Sequence, residues 1–145
     1  MAYKLNVELV PDGCWYSNLR SILSKKQWDF LRDYAKEKSG GKCSICGKKV
    51  KGLHAHERWS YDEKNAVQKL EDIIAVCPDC HSVIHMGRTQ LKGDAERAEK
   101  HFMKVNDCSY AELRKALGTA NEEHIRRNKI SEWKLDLTFL SQFTE

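Results

Sequence analysis

The chain has 145 residues, of which 41% are hydrophobic and 32% charged, a composition typical of one folded domain. No apolar run approaches the roughly 20 residues of a membrane span, and the N-terminus lacks the apolar core of a signal peptide. We therefore expect a cytoplasmic protein with reduced thiols and no membrane partner. The formal charge of +4 permits a nucleic acid partner without requiring one.

The N-terminal part predicts a strand followed by a helix. Apolar and polar residues alternate in residues 3–10, YKLNVELV, which is typical of a strand. Ser24 and Gln27 form a capping box at the start of an amphipathic stretch, and Gly40-Gly41 marks its end. We expect an amphipathic helix between these two signals.

Four of the six cysteines form two Cys-x-x-Cys pairs, Cys43 with Cys46 and Cys77 with Cys80. Without a secretory signal, disulfide pairing is disfavoured, and two such pairs suit a tetrahedral zinc ion. Four thiolates leave no open coordination position, so this zinc is predicted to be structural. The motifs of the zinc nucleobase deaminases do not match the chain.

Between the two cysteine pairs, the sequence predicts two strands. Residues 52–59, GLHAHERW, place His54 and His56 on one face of a strand because side chains alternate along it. Residues 71–77, EDIIAVC, predict a buried strand that leads into the second cysteine pair. Two histidines would thus face the same side of a small hairpin.

A short helix is predicted over residues 80–87, CHSVIHMG, with Gly87 closing it. His81 and His85 are four residues apart and lie one above the other on one helical face. This spacing suits two ligands of one metal ion. Together with the strand histidines, they predict a second metal site beside the zinc.

The C-terminal part predicts three helices. Residues 94–105 have apolar residues at helical spacing. Ser109 with Glu112, and Thr119 with Glu122, form two more capping boxes, and each predicts the start of a helix.

Residues 133–139, WKLDLTF, alternate again and predict a last strand. Pairing of this strand with residues 3–10 would tie the two termini together. The chain is predicted to be a single α+β domain, 1–145, with three parts: an N-terminal strand and helix (1–42), a metal-bearing module (43–92) and a helical extension (93–145).

The order of these motifs resembles the HNH endonuclease family. In that family, Cys-x-x-Cys precedes a strand with two adjacent polar catalytic residues, a second strand, and Cys-x-x-Cys-His with a further histidine. Residues 43–46, 53–59 and 73–85 follow this order, and the flanks LNVELVPDGCWYSNLRS and HERWSYD are similar to those of small bacterial and phage HNH proteins. The resemblance implies a two-strand, one-helix ββα-metal core and metal-dependent hydrolysis of DNA phosphodiester bonds.

The resemblance also implies site residues, with two possible registers on the first strand. His81 and His85 correspond to ligands of the catalytic metal. In one register His56 is a metal ligand and Glu57 the general base; in the other His54 is the ligand and His56 the base. A glutamate can act as a base only if its surroundings tune it. Both registers are compatible with the sequence, and His56 is expected to be essential in both.

The middle asparagine of the family has no clean counterpart in this chain. Asp72 takes its place before Cys77, and we expect it to support the loop between strand and helix. Asp62, which follows the first strand, is a candidate for loop support or for orienting a histidine.

Histidine ligands favour Mn²⁺, Ni²⁺ or Zn²⁺ over Mg²⁺ as the catalytic cation, while the cysteines favour Zn²⁺. Substrate phosphates need nearby cations, and four basic residues flank the predicted site: Lys48, Lys49, Lys51 and Arg88. The expected substrate is DNA, with RNA as a second candidate and a partner protein as a source of specificity. The alternative is a non-catalytic nucleic-acid-binding or scaffold protein that keeps the zinc fold.

Overall fold

The structure, a computed structural model, describes residues 3–143 and has the α+β architecture that the sequence predicts. A small three-stranded sheet and several helices enclose a hydrophobic core. The helices are α1 (Leu19–Ile22), α2 (Lys25–Ser39), α3 (Pro78–Ile84), α4 (Met86–Leu91), α5 (Ala95–Asn106) and α6 (Tyr110–Arg127). The strands are β1 (His54–Asp62), β2 (Val67–Val76) and β3 (Lys134–Asp136), and short 3-10 helices cover Asp12–Cys14 and Thr138–Phe143.

The centre of the fold is an antiparallel hairpin of β1 and β2, which positions the metal-ligating residues. Its register pairs His54 with Val76. Residues 73–76 of β2 are all buried, as expected for a strand covered on both faces. Helix α2 packs against both strands, and α3 begins directly after Cys77 and contacts β1. The two predicted strands of the module are therefore confirmed, and each is longer than the sequence pattern indicated.

Two of the three predicted capping boxes mark helix starts in the structure. Ser24 and Gln27 form the expected capping box of α2, and Gly40 ends that helix in the left-handed conformation, with φ +66°. Ser109 and Glu112 form the capping box of α6. The helix predicted over residues 94–105 is present as α5.

The helix start predicted at Thr119 is wrong, because α6 runs without a break from Tyr110 to Arg127. The Thr119 hydroxyl donates a hydrogen bond to the carbonyl of Lys115 one turn earlier, so it does not cap a new helix. Within residues 3–143, no helix has both the length and the apolar character needed to cross a bilayer.

The strand predicted over residues 3–10 is also wrong, because this segment joins no sheet. Instead, the Asn106 side chain accepts a hydrogen bond from the Leu5 amide (3.0 Å) and donates one to the Leu5 carbonyl (2.9 Å). The Glu8 amide donates to the carbonyl of Ile84 at the end of α3 (2.9 Å). A side-chain amide and a helix end thus satisfy backbone groups that a neighbouring strand would otherwise pair.

The last strand is shorter than predicted and has a different partner. β3 pairs in parallel with residues 67–69 of β2, so the predicted pairing of the two termini is wrong. The Asp136 carboxylate then accepts a hydrogen bond from the Thr138 amide (2.9 Å), which turns the chain into the following 3-10 helix.

Candidate metal centre

The four predicted cysteine ligands lie together. The sulfur atoms of Cys43, Cys46, Cys77 and Cys80 are all within 4.8 Å of one another, and none of these cysteines forms a disulfide. The sulfur atoms of Cys46 and Cys77 are 3.8 Å apart. Ligands of a tetrahedral zinc with Zn–S bonds of about 2.3 Å lie about 3.8 Å apart. The cluster could therefore hold a zinc ion.

Two tight turns present these sulfur atoms. Gly47 has φ +78°, which a glycine adopts without strain, and it closes the first turn by donating its amide to the Cys43 carbonyl (2.9 Å). The Cys77 sulfur caps α3 by accepting the Cys80 amide at 3.3 Å. Burial raises the pKa of the Cys43 thiol, but backbone N–H groups that point at its sulfur outweigh burial and lower the pKa to about 7.

His101 is a neighbour of this cluster that sequence reasoning missed. Its Nε2 lies 3.2 Å from the sulfur of Cys80, so α5 contacts the four-cysteine cluster directly. Burial raises the pKa of the Cys80 thiol, and an N–H donor at this position would favour its thiolate form when a metal is bound. The sequence offers no local signal for this contact, because His101 is far along the chain from both cysteine pairs.

A second cluster consists of His56, His81 and His85. One ring nitrogen of each lies within 4.8 Å of the others. His56 is supplied by β1 and is only 4% exposed. The ring centroids of His81 and His85 are 4.7 Å apart, and each ring also contacts the His56 ring edge to face. These three residues are the ones assigned to a second metal from the sequence.

The helix that carries this pair differs from the prediction. α3 ends at Ile84, and Gly87 lies within α4 instead of closing the first helix. His85 stands at the junction with φ −96° and ψ 50°, outside the helical range. Its amide still donates to the His81 carbonyl (3.1 Å), so the one-turn spacing of the two rings is kept.

The electrostatics of the cluster favour neutral imidazoles. Burial lowers the pKa of His81 to about 3, with further lowering from the neighbouring His85 and His56. Burial also lowers the pKa of His85 to about 4, and Arg88 contributes to both shifts. At pH 7 these rings are uncharged and offer lone pairs, as metal ligation requires.

His54 lies beside the cluster but is not one of its three members. Its Nδ1 is 3.0 Å from the Nδ1 of His81, so one nitrogen donates and the other accepts. The His54 side chain is exposed, whereas His56 is buried. This geometry suits a residue that orients His81 better than it suits the metal ligand of the second register.

Glu8 is a second residue that sequence reasoning missed. Its carboxylate oxygens lie 3.3 and 3.4 Å from Nε2 of His56. The available signal was a single carboxylate within the apolar run VELV, but the contact depends on where residues 3–10 pack.

Glu57 does not join the histidines, so its assignment as the general base is corrected. Side chains alternate along β1, and Glu57 therefore points to the face opposite His56. Its carboxylate accepts the Leu19 amide at 2.7 Å, at the first turn of α1, and burial raises its pKa. Glu57 attaches α1 to the hairpin, which is a structural role.

The bond between Glu57 and the Leu19 amide predicts how two substitutions of Glu57 change stability. Glu57→Ala should lower the free energy of unfolding by about 1–3 kcal/mol, because the buried Leu19 amide loses its acceptor. Glu57→Gln keeps an acceptor oxygen and should change stability less. Chemical denaturation measures both. Any cleavage activity should survive Glu57→Gln, and its loss in a folded Glu57→Gln protein would restore the first register.

Of the two aspartates, Asp62 supports a loop, which is one of its two predicted roles, and Asp72 has a different partner from the one expected. Asp62 accepts hydrogen bonds from the amide and side chain of Asn65 (3.1 and 2.8 Å) and closes the β1–β2 turn. It supports that loop and does not orient a histidine, since it lies at the end of β1 far from His56. Asp72 lies within β2 beside a β-bulge and pairs with Lys38 of α2 (2.9 Å), so it does not support the loop before α3.

The four basic residues are exposed but do not form one group around the histidines. Lys48, Lys49 and Lys51 lie on and after the first cysteine turn. Arg88 lies in α4, one turn after the His85 junction, and its charge acts on both His81 and His85. Arg88 is therefore a basic residue whose charge reaches the histidine cluster.

Comparisons of the chain with models of protein families, with curated proteins and with solved structures found no match.

Proposed function

We propose that this protein is a metal-dependent endonuclease of the HNH type that hydrolyses DNA phosphodiester bonds in the cytoplasm. The observation that carries the proposal is the convergence of three buried or half-buried imidazoles from β1 and from the α3–α4 junction. They lie on a hairpin followed by a helix and adjoin a four-cysteine cluster, which is the order of elements expected for a ββα-metal core.

In this proposal, each cluster has its own metal and its own task. The four thiolates hold a structural zinc, and the histidines hold one divalent cation. That cation would stabilise the negative charge that develops on the phosphate and on the leaving oxygen. Three imidazoles favour Mn²⁺, Ni²⁺ or Zn²⁺ over Mg²⁺.

The protein side chains bind the cation, accept a proton or contact the substrate. His81 and His85 are neutral and anchor the cation, and His54 orients the His81 ring. His56 either completes the ligand set or accepts a proton from the attacking water. Glu57 is bonded to α1, which leaves His56 as the candidate base on β1. Arg88 would contact the substrate phosphates.

A non-catalytic nucleic-acid-binding or scaffold protein remains the second candidate. One observation favours it: within residues 3–143, no carboxylate joins the three histidines as a member of the metal-ligand cluster. Such a protein would bind DNA or RNA through its basic residues and would use the zinc cluster only for stability.

A cleavage assay separates the two functions. Supercoiled plasmid, linear duplex and single-stranded RNA would each be incubated with the protein and Mn²⁺, Ni²⁺, Zn²⁺ or Mg²⁺. We expect nicked or linear plasmid with at least one cation and none with His81→Ala. His124→Ala, a histidine on α6 facing Asp12 and Asn128, is the matched control. Binding without cleavage under every condition would refute the nuclease and favour the second candidate.

A further inference from the structure

The segment that carries Glu8 is fixed in place from two sides. Asn106 of α5 holds both backbone groups of Leu5, and Leu5 itself is fully buried. The Glu8 amide bonds to Ile84, the residue before His85. The backbone at Glu8 is therefore well anchored, and the Glu8 side chain extends from it beside the histidine cluster.

The contact between Glu8 and His56 bears on which ring nitrogen of His56 carries the proton. An ionised carboxylate can only accept hydrogen bonds, so the ring nitrogen that faces it must donate. Both carboxylate oxygens face Nε2, at 3.3 and 3.4 Å. A neutral imidazole has one N–H, and with the proton on Nε2 the lone pair is on Nδ1.

The two side chains of this contact differ in how much of their surface is exposed to water. The His56 side chain is 5% exposed, so little water competes for its nitrogens, whereas the Glu8 side chain is 37% exposed and its carboxylate stays partly hydrated. The Glu8 carboxylate is thus the acceptor that faces Nε2 of an almost entirely buried ring.

We propose that Glu8 is a positioning residue that keeps the proton of His56 on Nε2 and directs the Nδ1 lone pair to the reaction. The last part rests on the proposed function, in which Nδ1 either binds the divalent cation or accepts the proton of water. The proposal holds for both roles of His56, because each requires an unprotonated nitrogen in a fixed direction. Carboxylate partners of metal-bound histidines act in this way in other metal sites.

Nitrogen NMR of the imidazoles tests the proposal without any cleavage assay. The protein would carry one equivalent of zinc, and the His56 signals would be assigned from their loss in His56→Ala. We expect wild-type His56 to be protonated on Nε2, with slow exchange of that proton. In Glu8→Ala the proton should exchange rapidly and the two tautomers should average. In Glu8→Gln the amide oxygen still accepts, so the Nε2 proton should persist.

Two NMR results would overturn the positioning role. One is a wild-type spectrum with the His56 proton on Nδ1, which decides the matter even if Glu8→Ala fails to fold. The other is an unchanged, slowly exchanging Nε2 proton in a folded Glu8→Ala protein.

Cobalt titration, followed by absorbance, supplies a second readout. We expect Glu8→Ala to weaken binding at the histidine cluster about 10–100-fold, the range typical for loss of a partner that orients a metal ligand. Glu96→Ala, which removes an exposed carboxylate of α5, should leave the affinity unchanged. If the protein proves not to cleave nucleic acid, the NMR result still decides the role of Glu8. If it cleaves and Glu8→Ala binds cobalt as tightly as wild type, the positioning role is wrong and the nuclease stands.

Discussion

Replacing Cys80 by serine should abolish both zinc binding and the folded state. Cys80 is fully buried, its amide bonds to the Cys77 sulfur, and its own sulfur contacts His101 of α5. Structural zinc contributes about 10–16 kcal/mol to folding in small zinc domains, which matches or exceeds the roughly 5–15 kcal/mol that stabilises a typical domain. Loss of one thiolate should therefore remove the cooperative thermal transition.

Elemental analysis and thermal melting followed by circular dichroism check this prediction. The wild-type chain should contain close to one tightly bound zinc, and Cys80→Ser should contain none. Cys108→Ser is the matched control, because Cys108 is a free, half-buried cysteine outside the cluster. A well-folded wild-type protein without zinc would contradict the assignment of the four cysteines.

The second large effect is expected for His85→Ala, which should abolish cleavage while the protein stays folded. The substitution removes one of three imidazoles, and His54, which lies beside the cluster, is already bonded to His81. We expect the cleavage rate to fall by more than about 100-fold, beyond the 10–100-fold typical of losing a residue that only orients a ligand. Stability should change little, because the four-cysteine cluster still anchors the start of α3.

Three quantities check this prediction in His85→Ala and His124→Ala. They are the initial rate of plasmid nicking, the Mn²⁺ affinity by calorimetry and the melting temperature. The expected pattern is a loss of the first two quantities in His85→Ala alone. Full activity in His85→Ala would show that the histidine cluster is not the catalytic site. The residues responsible for cleavage would then have to lie elsewhere in the chain.

The sequence by itself determined the features that depend on residues within about one turn of each other. The two Cys-x-x-Cys pairs, the spacing of His81 and His85, and the capping boxes at Ser24 and Ser109 all lie in this class. Each is set by local backbone geometry, so its pattern can be read directly. The two cysteine turns, the histidine spacing and two helix starts were predicted correctly for that reason.

Tertiary packing decided the contacts that join distant parts of the chain. The bond between Glu57 and the Leu19 amide could not be read from the sequence, because it depends on where α1 packs against β1. Glu8 and His101 reach the two clusters only because residues 3–10 and α5 pack against them.

The same reason explains the errors in secondary structure. An alternating pattern predicts an extended chain, but a strand also needs a neighbouring edge, and residues 3–10 meet the Asn106 side chain and the end of α3 instead. β3, in contrast, obtains the free edge of β2. Local patterns set the conformations that each segment can adopt, and the packing of the whole chain determines which backbone and side-chain groups become partners.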